Sequence, residues 1–176
     1  LRSPVHVVGE VSLQVRFNLL RQLNSDAGIE VVMAHPQALA QCRGWVEENL
    51  PQVRIIEASS TSESARLAAK TPGAAAIASR LAAELYRLDV LGSRIEDVSS
   101  NFTRFLVIGN HMPAPSGRDK TTIMLSIKDR VGALYDILIP FKKYRLNMTK
   151  IESRPTRQRA WEYVFFVDFL GHRAEP

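Results

Sequence analysis

One cysteine, Cys42, stands in 176 residues, so neither an internal disulfide framework nor a cysteine-rich zinc site is available. No apolar run approaches the roughly 20 residues of a membrane-spanning helix. There is no glycine-rich phosphate loop, no nucleophile elbow and no metal-ligand spacing. The four histidines, His6, His35, His111 and His172, are scattered. Internal repeats and low-complexity tracts are missing too. What is left is an ordinary globular composition, 45% apolar and 23% charged, with Leu, Ile, Val and aromatics along the whole length. A lone thiol fits a reducing, cytoplasmic compartment. The opening Leu1-Arg2-Ser3-Pro4 has neither an initiator methionine nor the apolar core of a signal peptide, which raises the expectation of a fragment.

The net charge of +5 is unevenly placed. Residues 1–110 carry eleven basic and eleven acidic side chains; residues 111–176 carry twelve basic and seven acidic ones. The basic residues of the second part form short clusters, Lys142-Lys143-Arg145 and Arg154, Arg157 and Arg159, instead of a continuous stripe. That pattern reads as solvated surface or small-anion contact, and no nucleic-acid or membrane partner is expected.

A boundary falls at Gly109-Asn110-His111-Met112-Pro113-Ala114-Pro115-Ser116-Gly117, where prolines and glycines replace periodicity. Residues 1–110 are read as one domain, 111–118 as a linker and 119–176 as a second, incomplete domain. In the first, short apolar runs at 5–8, 31–33, 53–56, 74–78 and 105–108 predict strands. Pro36 suits a first helical position, and Leu39, Cys42, Trp45, Val46 and Leu50 then recur at helical spacing. Ser60 and Glu63 form a capping-box pattern, and Leu81, Leu85 and Leu88 are expected to line a third helix. Alternating strands and helices predict an α/β layer on a largely parallel sheet.

The second domain reads strand, helix, strand, strand. Ile123, Leu125 and Ile127 alternate with polar residues, and Ala133, Leu134, Ile137, Leu138 and Phe141 make one helical face that Pro140 should kink or end. A strand is expected at 146–153. In the last strand Trp161, Tyr163, Phe165, Val167 and Phe169 fall on one face, with Glu162 and Asp168 on the other. This is the first β-α-β-β of a ferredoxin-like unit. Its closing helix and strand do not fit in 171–176, so another chain or further residues are expected to cover the open edge.

Three segments carry chemistry. In Ala34-His35-Pro36-Gln37-Ala38-Leu39-Ala40-Gln41-Cys42, a strand end runs into a helix start that sets Gln37 and Gln41 one turn apart. Asn101-Phe102-Thr103-Arg104-Phe105 sets a hydroxyl and a guanidinium between aromatics. Glu152-Ser153-Arg154-Pro155 follows a strand and is expected to face Gly132-Ala133-Leu134-Tyr135. Each also has an ordinary reading as cap, strand edge or turn. Cys42 shares the apolar face of its helix, the position of a buried, inert thiol.

Taken in order, these segments resemble the prephenate dehydratase family. The resemblance runs from Val7-Val8-Gly9-Glu10-Val11 through His35-Pro36-Gln37-Ala38-Leu39-Ala40-Gln41-Cys42 and Ala76-Ile77-Ala78 to Thr103-Arg104-Phe105-Leu106-Val107-Ile108-Gly109. It continues into an ACT-type regulatory domain through Gly132-Ala133-Leu134 and Lys150-Ile151-Glu152-Ser153-Arg154-Pro155. It implies an α/β fold, the second lobe of a type II periplasmic-binding-protein-like catalytic domain followed by a ferredoxin-like ACT domain. The first lobe, with its glycine-rich opening, and the end of the ACT domain lie outside these residues.

The activity the resemblance implies is a carbon–oxygen lyase reaction, prephenate to phenylpyruvate, water and carbon dioxide in L-phenylalanine biosynthesis. Neither a cofactor nor a metal is implied. By the same resemblance Thr103, Arg104 and Gln41 are catalytic, with Thr103 the general acid, and Gln37, Phe105 and Asn101 bind substrate. Gly132, Ala133, Leu134, Asn147, Glu152, Ser153, Arg154 and Pro155 are assigned to a regulatory phenylalanine site at a subunit interface of a homodimer or homotetramer. Two positions depart from the family pattern: Ala34 replaces a usual serine before His-Pro-Gln, and Tyr135 replaces a valine or similar residue. Two alternatives stay open, a non-catalytic phenylalanine-binding or assembly module, and a relative acting on another small carboxylic or lactone substrate.

Overall fold

The computed structural model of the chain describes residues 5–25, 27–127, 130–155 and 163–174. Contacts divide it into two compact units, Val11–Phe105 and a second made of Leu1–Glu10 with Leu106–Pro176. Strands β1 (His6–Gln14) and β7 (Phe102–Gly109) pair in a two-stranded sheet, and each contributes residues to both units.

Val11–Phe105 is built on a five-stranded sheet. Its strands are β2 (Asn18–Gln22), β3 (Val31–Ala34), β4 (Arg54–Glu57), β5 (Ala74–Ala78) and β6 (Leu88–Ser93), in the order β4-β3-β5-β2-β6. β3 runs parallel to β4 and β5, whereas β2 is antiparallel to β5 and β6. The sheet is therefore mixed, not largely parallel. The strand responsible is β2, which alone runs against the other four, and its Asn18, Arg21 and Gln22 keep it from showing as an apolar run. β1 and β7 are longer than the 5–8 and 105–108 runs, because pairing extends them through polar positions.

Helices α1 (Pro36–Gln41), α2 (Arg43–Asn49), α3 (Thr61–Ala68) and α4 (Arg80–Tyr86) complete this unit. Alternation along the strands sends successive side chains to opposite faces. On one face Leu20, Val31, Met33, Ala74, Ala76 and Ala78 pack with Ala65 and Ala68 of α3 and Ala82 and Ala83 of α4. On the other, Leu19, Val32, Ala34, Ala75 and Ile77 pack with Ala38, Cys42 and Val46 around α1 and α2. The nearly all-alanine β5 is buried along its whole length. Its small side chains let layers on both faces approach.

Two expectations about helices are corrected. The single helix expected from Pro36 to Leu50 breaks at Cys42 (φ −123°, ψ 13°), where the thiol turns into the core. On α4, Leu81 and Leu85 are 72% and 68% exposed, Ala82 and Ala83 face inward, and Leu88 belongs to β6. Ala82 and Ala83 take the seat against β6 and α3, and a left-handed Arg87 (φ 53°) ends the helix before the leucine spacing can continue.

Helix starts follow the caps seen in the sequence. Ser60 Oγ accepts from Glu63 N–H at 3.0 Å, although Glu63 turns its carboxylate to Arg66 at 2.5 and 2.7 Å instead of closing the box. That guanidinium holds the Glu63 carboxyl below the usual range. Ser79 Oγ caps α4 through Ala82 N–H at 3.2 Å.

In the other unit, β8 (Lys120–Ile127), α5 (Ala133–Lys143), β9 (Met148–Pro155) and β10 (Tyr163–Leu170) follow in turn. The sheet order is β8-β10-β9, antiparallel throughout, as a β-α-β-β segment of a ferredoxin-like unit requires. α5 runs on through Pro140 to Lys143 instead of ending there. On β10 the inward side chains include fully buried Val167, while Asp168 on the opposite register accepts from Thr122 Oγ1 at 2.7 Å. Trp161, Glu162, Arg157 and Arg159 lie outside the described residues.

Candidate active site

A cavity of about 170 Å³ opens beside the β3–α1 junction. Val15, Phe17 and Ala38 supply its apolar wall; His35, Gln37, Gln41, Thr61, Asn101 and Thr103 supply its polar one. Each polar group arrives by a local rule. His35 is the N-cap of α1, its Nδ1 accepting from Gln37 N–H at 3.2 Å, with Pro36 at the first helical position. Gln37 and Gln41 lie four residues apart, on one side of α1. Thr61 opens α3 directly after its Ser60 cap. Asn101 leads into β7, and Thr103 lies two residues on, hence on the same side of the strand.

The segment 95–101 holds this arrangement together. Asp97 N–H donates to the Gln41 carbonyl at 2.7 Å. Cys42 provides no side-chain cap for α2; instead the Asp97 carboxylate accepts from Gly44 N–H at 3.0 Å and Trp45 N–H at 3.1 Å. Gly44 eases that approach, since a Cβ there would lie a tight 3.1 Å from Asp97 Oδ1. Asn101 Nδ2 donates to Gln41 Oε1 at 2.6 Å, and the Asn101 carbonyl accepts from Val15 N–H at 2.8 Å. Glu96 likewise accepts from Phe17 N–H at 2.9 Å.

Both nearby carboxylates therefore serve backbone N–H groups, and no acidic side chain is among those lining the cavity. The lining is an imidazole, three amides and two hydroxyls. Such a set, with aromatic and aliphatic carbon beside it, offers hydrogen-bond donors and acceptors without a carboxylate. Among the described residues no group of His, Cys, Asp and Glu is arranged to hold a metal ion. Burial, reinforced by the Asp97 and Glu96 charges, pushes the Cys42 thiol up to about 12. It stays protonated near neutrality and is not a nucleophile there.

Of the six catalytic and substrate-binding residues expected from the sequence, Thr103, Gln41, Gln37 and Asn101 line one cavity. Arg104 alternates to the other side of β7, and Phe105 is half-exposed beyond the lining. Thr61 and Asp97 were not anticipated. Thr61 carried a usable signal, a hydroxyl placed by a capping serine right after a strand. Asp97 carried none, because its partners are 52 and 53 residues away. Ala34, where a serine was expected, is fully buried at the end of β3.

The residues expected to form a regulatory site group differently. Gly132 is left-handed (φ 80°) at the start of α5 with open space around its Cβ position, so glycine is needed for the backbone, not for room. Ala133 is buried and Leu134 half-exposed. On β9 the Glu152 carboxylate is shared by Lys150 Nζ at 2.6 Å and Arg154 Nε at 2.7 Å, and these cations hold it below the usual carboxylate range. The Arg154 guanidinium also lies 5.7 Å from the centre of the Phe166 ring. Ser153 and Pro155 sit opposite Phe165 and Tyr163 of β10. The Asn147 carbonyl accepts from Leu170 N–H at 3.0 Å. Tyr135 is 71% exposed.

An α/β lobe with a polar pocket at a strand-to-helix turn, followed by a ferredoxin-like β-α-β-β segment, sets the structural class of the chain. Comparison with known proteins narrows that class. The prephenate dehydratase family model matches residues 1–113, and the ACT domain model matches residues 121–176. The chain belongs to the prephenate dehydratase family.

A bifunctional chorismate mutase/prephenate dehydratase of Aquifex aeolicus is 46% identical over 175 residues, covering 99% of this chain and 48% of its own length. A prephenate dehydratase of Amycolatopsis methanolica is 38% identical over 178 residues, covering 99% of this chain and 58% of that protein. The chain thus spans about half the length of the relatives it matches. Among solved structures, the prephenate dehydratase of Arthrobacter aurescens in complex with L-Phe superposes with a TM-score of 0.85 at 34% identity, over 97% of this chain and 58% of that one. A quorum-quenching acylase superposes with a TM-score of 0.81 at 29% identity, over 98% and 64%.

Proposed function

We propose that this chain supplies the second catalytic lobe and the regulatory segment of a prephenate dehydratase, working in the cytoplasm as a homodimer or homotetramer. The reaction converts prephenate to phenylpyruvate, water and carbon dioxide in phenylalanine biosynthesis, with phenylalanine as the feedback effector at the ACT segment. The supporting observation is that two pairs separated by 60 residues, Gln37 with Gln41 and Asn101 with Thr103, line one cavity free of acidic side chains.

The mechanism needs little from the protein because aromatisation drives it. Thr103 Oγ–H donates its proton to the departing ring hydroxyl, which leaves as water. The bond from ring to carboxylate breaks, its electron pair enters the ring, and carbon dioxide departs. Solvent then returns a proton to Thr103. Gln41 and Gln37 orient the acid groups as neutral donors, so that the carboxylate that leaves is not stabilised by a fixed cation. Phe105 and Arg104 support the site from outside the cavity.

A dehydratase assay tests this. Thr103→Ala should lower the rate on prephenate by roughly 10²–10⁴-fold, the range of a positioned general acid. Equal rates for the two proteins overturn the assignment. Calorimetric binding of phenylalanine without turnover of prephenate would favour the sensing module instead. A hydrolytic reading is prompted by the acylase neighbour; amine release from an N-acyl substrate, at a rate that Thr103→Ala leaves unchanged, would support it.

A further inference from the structure

We propose that Asn101 is a positioning residue: it holds the Gln41 side-chain amide so that the Gln41 NH₂ faces the cavity as a donor to a carboxylate or keto oxygen. The inference rests on the small-acid reading above and concerns how that acid is gripped.

Both ends of the bridge are fixed by backbone before the side chains meet. The Gln41 carbonyl is held by Asp97 N–H and the Asn101 carbonyl by Val15 N–H. What stays free is the orientation of the Gln41 amide, whose two flips have the same shape and opposite polarity. The bond of 2.6 Å from Asn101 Nδ2 to Gln41 Oε1 corresponds to one of them. It occupies the Gln41 oxygen and leaves the Gln41 Nε2 hydrogens for a ligand.

The surroundings agree with that polarity. The Glu96 and Asp97 carboxylates of the adjoining segment accept from the Phe17, Gly44 and Trp45 N–H groups and are not among the groups lining the cavity. The neighbouring imidazole is sorted the same way. His35 Nδ1 accepts from Gln37 N–H, so the neutral ring carries its hydrogen on Nε2 and that nitrogen can only donate. An oxygen-rich, anionic ligand is what a lining of fixed donors recognises.

Asn101→Asp replaces the donor by an acceptor of the same shape, and Gln41 must then turn its NH₂ toward position 101 and its oxygen toward the cavity. The test uses the full chain labelled with ¹⁵N and titrated with phenylpyruvate and, separately, with benzoate. In the wild type the Gln41 side-chain amide resonances, assigned by their loss in Gln41→Leu, should move on titration. In Asn101→Asp they should not, and affinity should fall roughly 10- to 100-fold, the scale of a lost hydrogen bond to a charged group. In the Gln41→Leu background, Asn101→Leu, which removes the donor without adding a charge to the cavity, should have no further effect, because Asn101 acts through Gln41.

Gln41 resonances unmoved by both acids in the wild type, or moved equally in Asn101→Asp, overturn the proposal. So do effects that multiply in the double variant. A responsive Gln41 in a protein that does not turn over prephenate sinks the dehydratase reading and leaves the positioning role. Turnover with an unresponsive Gln41 does the reverse.

Discussion

Between Val11 and Phe105 a five-stranded sheet is covered on both faces and buries Leu19, Leu20, Val32, Ile77 and Ile95 almost completely. From Lys120 onward a three-stranded sheet shares one helix, and its buried apolar side chains among the described residues are Ala133, Phe141 and Val167. Met124, Leu134, Ile139, Ile151 and Leu170 there keep two-fifths to half of their surface in contact with solvent. The difference is one of layers. A sheet sandwiched by helices on two sides completes its own core. A sheet with one helix leaves strand and helix positions that the sequence made apolar without a counterpart.

That contrast can be broken by substitution. Leu20→Ala removes a fully buried side chain from the two-sided core and should cost about 2–5 kcal/mol. Val167→Ala, the corresponding deletion in the one-helix unit, removes one carbon fewer and should cost about 1–2.5 kcal/mol. Urea denaturation followed by circular dichroism measures both. A Val167→Ala cost equal to that of Leu20→Ala would reject the contrast.

Cys42 sharpens it from the side of charge. Its thiol is raised from the ordinary 9.0 to about 12, so the fold favours the protonated form. The stabilisation is complete below the unfolded thiol's pKa and is lost as pH rises through that value toward about 12. Within that window the wild type should lose up to about 1.4 kcal/mol per pH unit from this group. Melting temperatures at about pH 8 and about pH 10 should fall more steeply for the wild type than for Cys42→Ala; parallel falls would show that the thiol is not sealed from solvent.

The smallest effects are expected at the helix starts. Ser60→Ala, which removes the α3 cap, should cost about 1 kcal/mol. Gly132→Ala, which forces a left-handed residue to carry a Cβ at the start of α5, should cost about 1–2 kcal/mol. Thermal unfolding checks both, and the second idea fails if Gly132→Ala is as stable as wild type.

The folding of several segments was legible from neighbours in the chain. The Ala74–Ala78 strand, the Pro36 helix start and the Ser60 cap depend on groups within four residues of one another, and they stand where spacing predicts. The break at Cys42 was not legible, because it depends on a carboxylate at position 97 that satisfies the first N–H groups of α2. Nor was the inward face of α4: leucine is the more apolar residue, but Ala82 and Ala83 are the residues that join the core cluster. The site divides in the same way. Thr103 and Gln41 drew attention by their motifs, whereas the bridge between Gln41 and Asn101 spans 60 residues.

By itself the sequence determined the α/β and β-α-β-β order, the residue types in the cavity and the family they belong to, since these rest on local periodicity and on motif order. Only the tertiary structure decided which faces are covered, how the sheet mixes its strand directions, and which side-chain oxygens and nitrogens bond to one another. Those depend on hydrogen bonds and packing between residues far apart in the chain, and such partners exist only once the layers have closed.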